Sequence, residues 1–135
     1  MRTIHLITLS LCLLCLSCKT KQKLVTDSSG NPVPQVTWEQ DKLELGIIKK
    51  GETRDMVFNF TNTGSADLLI DLVTSCKCTS LDWPRLPIPP GGKGQIHVTF
   101  DSTDQKLGMV DKVIDIIANT DPRVVEGFFT AKVVP

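Results

Sequence analysis

The sequence predicts an antiparallel β-sandwich of about seven short strands, on three observations. Apolar and polar residues alternate with a period of two in several segments, most clearly Met56, Phe58 and Phe60 against Asn59 and Thr61, and Ile96, Val98 and Phe100 against His97 and Thr99. Turn-forming groups separate these segments, as at Asn62-Thr63-Gly64-Ser65 and Asn119-Thr120-Asp121-Pro122. A helical period is nowhere sustained for ten residues. Many short strands with regular turn punctuation and no helices define a two-layer β domain.

The chain before that domain has a different character. Met1-Arg2-Thr3 carries one positive charge, and Ile4 to Leu16 is an apolar run broken only by His5, Thr8 and Ser10. This is the pattern of a secretory signal peptide, too short for a membrane span of about 20 apolar residues. Leu14-Cys15-Leu16-Ser17-Cys18 resembles a bacterial lipobox, which implies cleavage after residue 17 and lipidation of Cys18. Cys12 and Cys15 follow leucine where a small residue is needed, so Cys18 is the modified position, although Cys15 stands where leucine is usual. Several acyl chains anchor stably, since each buried methylene contributes about 0.8 kcal/mol. Lysine after Cys18 does not resemble an inner-membrane retention signal, and an acidic surface-export run is missing. The expected location is the outer membrane, lipid-anchored on its periplasmic face.

Residues 18–35 read as the lipidated cysteine and a flexible tether. Lys19-Thr20-Lys21-Gln22-Lys23 and Ser28-Ser29-Gly30-Asn31-Pro32 are polar, hold Gly and Pro, and show no apolar period. Such a coil reaches roughly 25 Å root-mean-square. Fifteen basic residues balance fifteen acidic ones without basic clustering in the body of the chain, so no nucleic-acid partner is expected. Of five cysteines, two leave with the signal and one takes lipid; only Cys76 and Cys78 remain, and they cannot staple distant parts of the chain.

Within residues 36–135 the strands follow in order. Val36-Thr37-Trp38 and Leu43 to Ile48 are short apolar pieces, the second closed by Lys49-Lys50-Gly51-Glu52. Thr53 to Asn62 puts one face in a core. After the turn at Asn62–Ser65, Ala66 to Val73 follows with Leu68, Ile70 and Leu72 on one face, so the two segments read as strands joined by a short loop. Trp83-Pro84-Arg85-Leu86-Pro87-Ile88-Pro89-Pro90 is a rigid crossing, because proline lacks the ladder donor. Gln95–Phe100, Met109–Ala118 and Val124–Val134 complete the set.

Several of these features in this order resemble the bacterial domain-of-unknown-function family 1573. They are Leu45-Gly46-x-Ile48-x-x-Gly51-Glu52, Phe58-Asn59-Phe60-Thr61-Asn62-Thr63-Gly64, Leu69-Ile70, Ser75-Cys76-x-Cys78-Thr79, Ile88-Pro89-Pro90-Gly91, Ile96-x-Val98-x-Phe100-Asp101 and Gly108. The family's usual motif is Ser-Cys-Gly-Cys-Thr; here Lys77 replaces the glycine, which sets aside any role needing an unusual backbone angle there. The resemblance implies an immunoglobulin-like sandwich of the kind shared with cilium- and centrosome-associated modules, on secreted or lipid-anchored proteins of Bacteroidetes. It implies no activity.

Cys76 and Cys78 are the thiol chemistry of the domain. In an extended segment their Cα atoms stand roughly 6.5–7 Å apart at about 3.3 Å rise per residue, so a disulfide between them requires a local bend. Three readings stand: a structural pair, a reducible redox pair, or two soft ligands for copper or zinc. Zinc wants four ligands, and only His97 and carboxylates could complete the set; for Cu(I), Met56 or Met109 could assist. His97 points outward on its strand. Trp38 and Trp83 read as core or edge-covering aromatics, and Asp111 and Asp115 share a solvated strand face. Asn59-Phe60-Thr61 fits a glycosylation sequon, which means little in a bacterial lipoprotein. With no Ser/His/Asp order, phosphate loop or paired-histidine motif, no catalytic residue and no cofactor are expected. The expected function is that of a non-catalytic, lipid-anchored binding or structural module of the cell envelope, its partner the membrane together with a protein at a sheet edge or a glycan. The alternative is a thiol-dependent metal or redox protein.

Overall fold

A computed structural model describes residues 24–135. The signal segment 1–17, Cys18 and the lysines at 19, 21 and 23 lie outside the described residues. Among the described residues eight strands follow one another without a helix: β1 Val36–Trp38, β2 Lys42–Lys49, β3 Thr53–Asn62, β4 Ile70–Thr74, β5 Thr79–Asp82, β6 Lys93–Asp101, β7 Gly108–Ala118 and β8 Val124–Val134. They form two four-stranded sheets, β1-β3-β6-β5 and β2-β8-β7-β4.

Alternation builds the core between them. Phe58 and Phe60 of β3 and Ile96, Val98 and Phe100 of β6 face Ile114, Ile116, Phe129, Ala131 and Val133 from the other sheet, all essentially solvent-free. Burying a large apolar side chain contributes about 1.5–3 kcal/mol, so this cluster carries the stability of a domain without distant cross-links. Trp38 packs edge-on against Phe58 and Phe60, with ring centroids 5.6 and 5.9 Å away, and Phe100 meets Phe129 across the sandwich at 5.3 Å.

The structure corrects four details of the sequence reading. The sandwich is not wholly antiparallel, because β2 runs parallel to β8. The chain leaves β1 in the first sheet, crosses at Glu39–Asp41 and enters the second sheet alongside β8. Gly46, with φ of 69°, makes the register shift between Glu44 and Ile47 that turns Ile48 inward and leaves Ile47 exposed. Second, β3 and β4 are not a hairpin: the turn after Asn62 carries the chain into the other sheet. Third, a bulge between Ile70 and Leu72 reverses the parity of β4, so Leu68 and Val73 are buried while Leu72 is 46% exposed. Fourth, Thr79–Asp82 is an additional strand, pairing with β6 from Phe100 to His97. The proline-rich crossing stays outside the ladders except at Ile88, which exchanges two backbone hydrogen bonds with Leu68, both 2.9 Å.

Residues 24–35 differ from the free coil that their composition suggests. Asp27 caps a tight turn by accepting from the amides of Ser29 and Asn31 at 2.8 and 2.9 Å, and Val33 donates back to the Val25 carbonyl at 3.1 Å. The resulting hairpin lies on the β3–β4 connection. The Val25 amide donates to Ser65 Oγ at 3.0 Å, the Ser65 amide to the Val33 carbonyl at 2.9 Å, and the Thr63 amide to the Gln35 carbonyl at 2.8 Å. Gly64 makes this possible: a Cβ there would collide with the backbone of Val33, Pro34 and Gln35.

Candidate functional site

The β4–β5 connection bends at the cysteines. The Thr79 amide and hydroxyl both donate to the Cys76 carbonyl, at 3.1 and 2.9 Å, closing a turn that brings the two Cα atoms to 5.1 Å, where a disulfide joins them. Extended geometry would have held them farther apart; this turn is the bend a bond requires. Lys77 projects into solvent at its tip, while Cys78 packs partly against the core.

The turn sits at one pole of the sandwich. The Asp101 amide donates to the Cys78 carbonyl at 2.9 Å, tying the turn to the end of β6, and Ser75 Oγ donates to the Val113 carbonyl at 2.6 Å. An open depression of ≈ 300 Å³ lies beside it, lined by both cysteines, Lys77, Asp101, Asp104, Gln105 and Lys112. The Thr103 hydroxyl, 2.6 Å from Asp101, and then the Thr103 amide, 2.8 Å away, hold that carboxyl below its ordinary value.

The remaining candidates lie elsewhere. His97 is exposed on the outer face of β6, beside a shallow depression of ≈ 680 Å³ that also takes in Glu39, Asn59, Trp83, Lys93 and Gln95. Trp83 is half-buried there, with the Arg85 guanidinium 3.6 Å above its ring and its indole N–H buried without a partner. Met56 is buried in the core, and Met109 is 66% exposed near the start of β7. Neither methionine is among the residues around the cysteine depression. Asp111 and Asp115 stand on the outer face of β7. Among the described residues no three His, Cys, Asp or Glu side chains converge into a metal-ligand set.

The two outer faces of the sandwich are unlike, and the sequence reading did not separate them. Over the first sheet the outward side chains of β3 and β6 are mostly polar and bonded to one another, as Thr99 to Asp55 at 2.6 Å and Gln95 to Asn59 at 2.9 Å. Over the second sheet Leu72, Ile117 and Val124 line up across three strands, and Val113 stands opposite Phe128. Between those rows Asp115 faces Glu126. Four of these apolar side chains, Leu72, Val113, Val124 and Phe128, are more than a third exposed. The signal was present as adjacent apolar pairs in β7 and β8, Val113-Ile114, Ile116-Ile117, Val124-Val125 and Phe128-Phe129, where strict alternation would have left one face polar.

This architecture is that of an immunoglobulin-like β-sandwich. It is similar to the ASH/PapD-like domain 7 of human CEP192, at 14% identity and a TM-score of 0.57, over 82% of this chain and 93% of that one. A protein of unknown function from Porphyromonas gingivalis W83 is similar at 23% identity and a TM-score of 0.61, over 75% of this chain and 46% of that one. The secreted serine protease VesC of Vibrio cholerae is similar at 13% identity and a TM-score of 0.57, over 74% of this chain and 24% of its own. The chain thus spans less than half of the Porphyromonas protein and about a quarter of the protease, and these likenesses concern the fold. No curated protein matches it. The chain belongs to the DUF1573 family, proteins of unknown function, whose model matches residues 36–133.

Proposed function

We propose that this protein is a non-catalytic, lipid-anchored module of the cell envelope that presents the outer face of its second sheet to a protein partner. The observation that carries this reading is the contrast between the two faces. Contiguous exposed apolar side chains on a soluble domain mark a binding surface more often than chance. A stripe of aliphatic and aromatic groups suits a protein better than a glycan. The acidic pair Asp115–Glu126 between the apolar rows fits a partner that brings a cation into its apolar patch. The bonded cysteines serve as a clip on the β4–β5 turn in this reading.

The test is a photo-crosslinking residue placed at Val113, and separately at His97 on the polar face, in the full chain expressed in its native host. A discrete adduct at Val113 and none at His97 is the expected result. Equal adducts, or an adduct at His97 alone, would exclude this face. The anchor is tested by mass spectrometry of the mature amino-terminal peptide, expected to begin at Cys18 and to carry acyl mass.

A further inference from the structure

We infer that the pole built from the turns at residues 62–66, 86–92 and 119–123 faces the lipid surface, and that the Cys76–Cys78 pole points away from it. The inference rests on the reading that Cys18 carries lipid. Its own ground is the docked hairpin. Because Val25 is hydrogen-bonded to Ser65, the chain is fixed to this pole there, and only six Cα–Cα steps separate the neighbouring Leu24 from Cys18. Whatever conformation those residues take, they span at most about 23 Å at 3.8 Å per step.

The sandwich is taller than that. Strand β6 runs eight Cα–Cα steps from Lys93 beside this pole to Asp101 beside the cysteines, which is about 26 Å at 3.3 Å per step. Stood on its cysteine pole, the domain would lift Leu24 farther from the bilayer than the connection can reach. A free coil running to Gln35 would impose no such limit. The near pole also offers suitable contacts: Leu24 is 62% and Leu86 80% exposed, and Arg85 stands next to Leu86. An apolar side chain beside a cation is suited to the phospholipid headgroup boundary.

The experiment places one fluorophore, in the lipidated full-length protein, at Leu86→Cys or at Lys106→Cys on the far pole. The protein is reconstituted in phosphatidylcholine–phosphatidylglycerol vesicles carrying a headgroup energy acceptor. Transfer from the Leu86→Cys site is expected to exceed transfer from Lys106→Cys at least twofold. Inserting a twenty-residue Gly/Ser spacer between Lys23 and Leu24 is expected to abolish the difference. Equal transfer in an acylated, vesicle-bound protein overturns this inference alone, as does a difference that survives the spacer. A mature amino terminus without acyl mass overturns the anchor reading together with this one.

Discussion

Asn62 donates from Nδ2 to the carbonyl oxygen of Ile88 at 2.9 Å, across 26 residues of sequence, from a side chain with no solvent exposure. The same amide nitrogen reaches the Ala66 carbonyl at 2.8 Å, and its oxygen accepts from the amides of Gly64 and Gln35 at 3.0 and 3.2 Å. One buried side chain thus holds together the end of β3, the proline-rich crossing and the amino-terminal segment. Asn62→Ala leaves the Ala66 carbonyl and the amides of Gly64 and Gln35 without it, while the Ile88 carbonyl keeps its bond from the Leu68 amide. Each buried unsatisfied group costs about 1–3 kcal/mol, so the expected loss is about 3 kcal/mol or more. Urea denaturation measures it. A loss under about 1 kcal/mol would mean that the loops re-pair or open to water without the asparagine.

Gly64 is the point where the amino-terminal segment touches the body without room for a side chain. Gly64→Ala should push Val33–Gln35 off the turn at a cost of about 1–3 kcal/mol, typical of overpacking. Limited proteolysis reads it directly: cleavage between residues 24 and 35 should be slow in the parent protein and fast in the variant. Unchanged protection in the variant would mean that the segment is not seated on Gly64.

Cys76 and Cys78 close a very short loop, so the chain-entropy gain from their disulfide is small, about 1–2 kcal/mol. Replacing both with serine should lower the melting temperature by about 5–15 °C and leave the fold intact. In the native protein neither thiol should react with a maleimide until a reductant is added. Stoichiometric copper or zinc on the reduced parent protein, absent from the double variant, would instead favour the metal reading.

Asp27 is held below its ordinary carboxylate value chiefly by the hydrogen bond from the Asn31 backbone, then by the Asn31 side chain. A depressed folded value means that the ionised form supports the turn. That support is full above the unfolded value of 3.8 and fades as pH falls below it through the lowered folded value. Amide exchange at Gly30 and Asn31 should therefore quicken below about pH 4 beyond the intrinsic trend. Asp27→Asn should flatten that extra dependence. If both proteins show the same profile, the carboxylate is not what closes the turn.

Strand identity was legible wherever a core face ran uninterrupted, as in Thr53–Asn62 and Gln95–Phe100, because the period of two is a direct consequence of burial on one side. It failed where one residue broke the register. The bulge beside Asp71 leaves no composition signature, and Gly46 reads equally well as a turn or a strand glycine. The sheet assignment of β4 was also hidden: a turn at Asn62–Ser65 suits a hairpin locally, and only the buried asparagine and the docked hairpin make it a crossover. The paired cysteines were visible at once. The apolar outer face was not, since it is assembled from residues on β4, β7 and β8 that only register brings together.

The bulge in β4 gives the sharpest test of that last point. Unbroken alternation from Leu68 would bury Leu72 and make the two leucines equivalent. The structure buries Leu68 completely and leaves Leu72 46% exposed beside Ile117. Leu68→Ala should cost about 2–5 kcal/mol, the transfer term plus a cavity, while Leu72→Ala should stay within about 0.5 kcal/mol. Paired denaturation curves of the two variants check this. A comparable loss at both positions would place Leu72 in the core, straighten β4, and remove one side of the apolar face proposed to meet a partner.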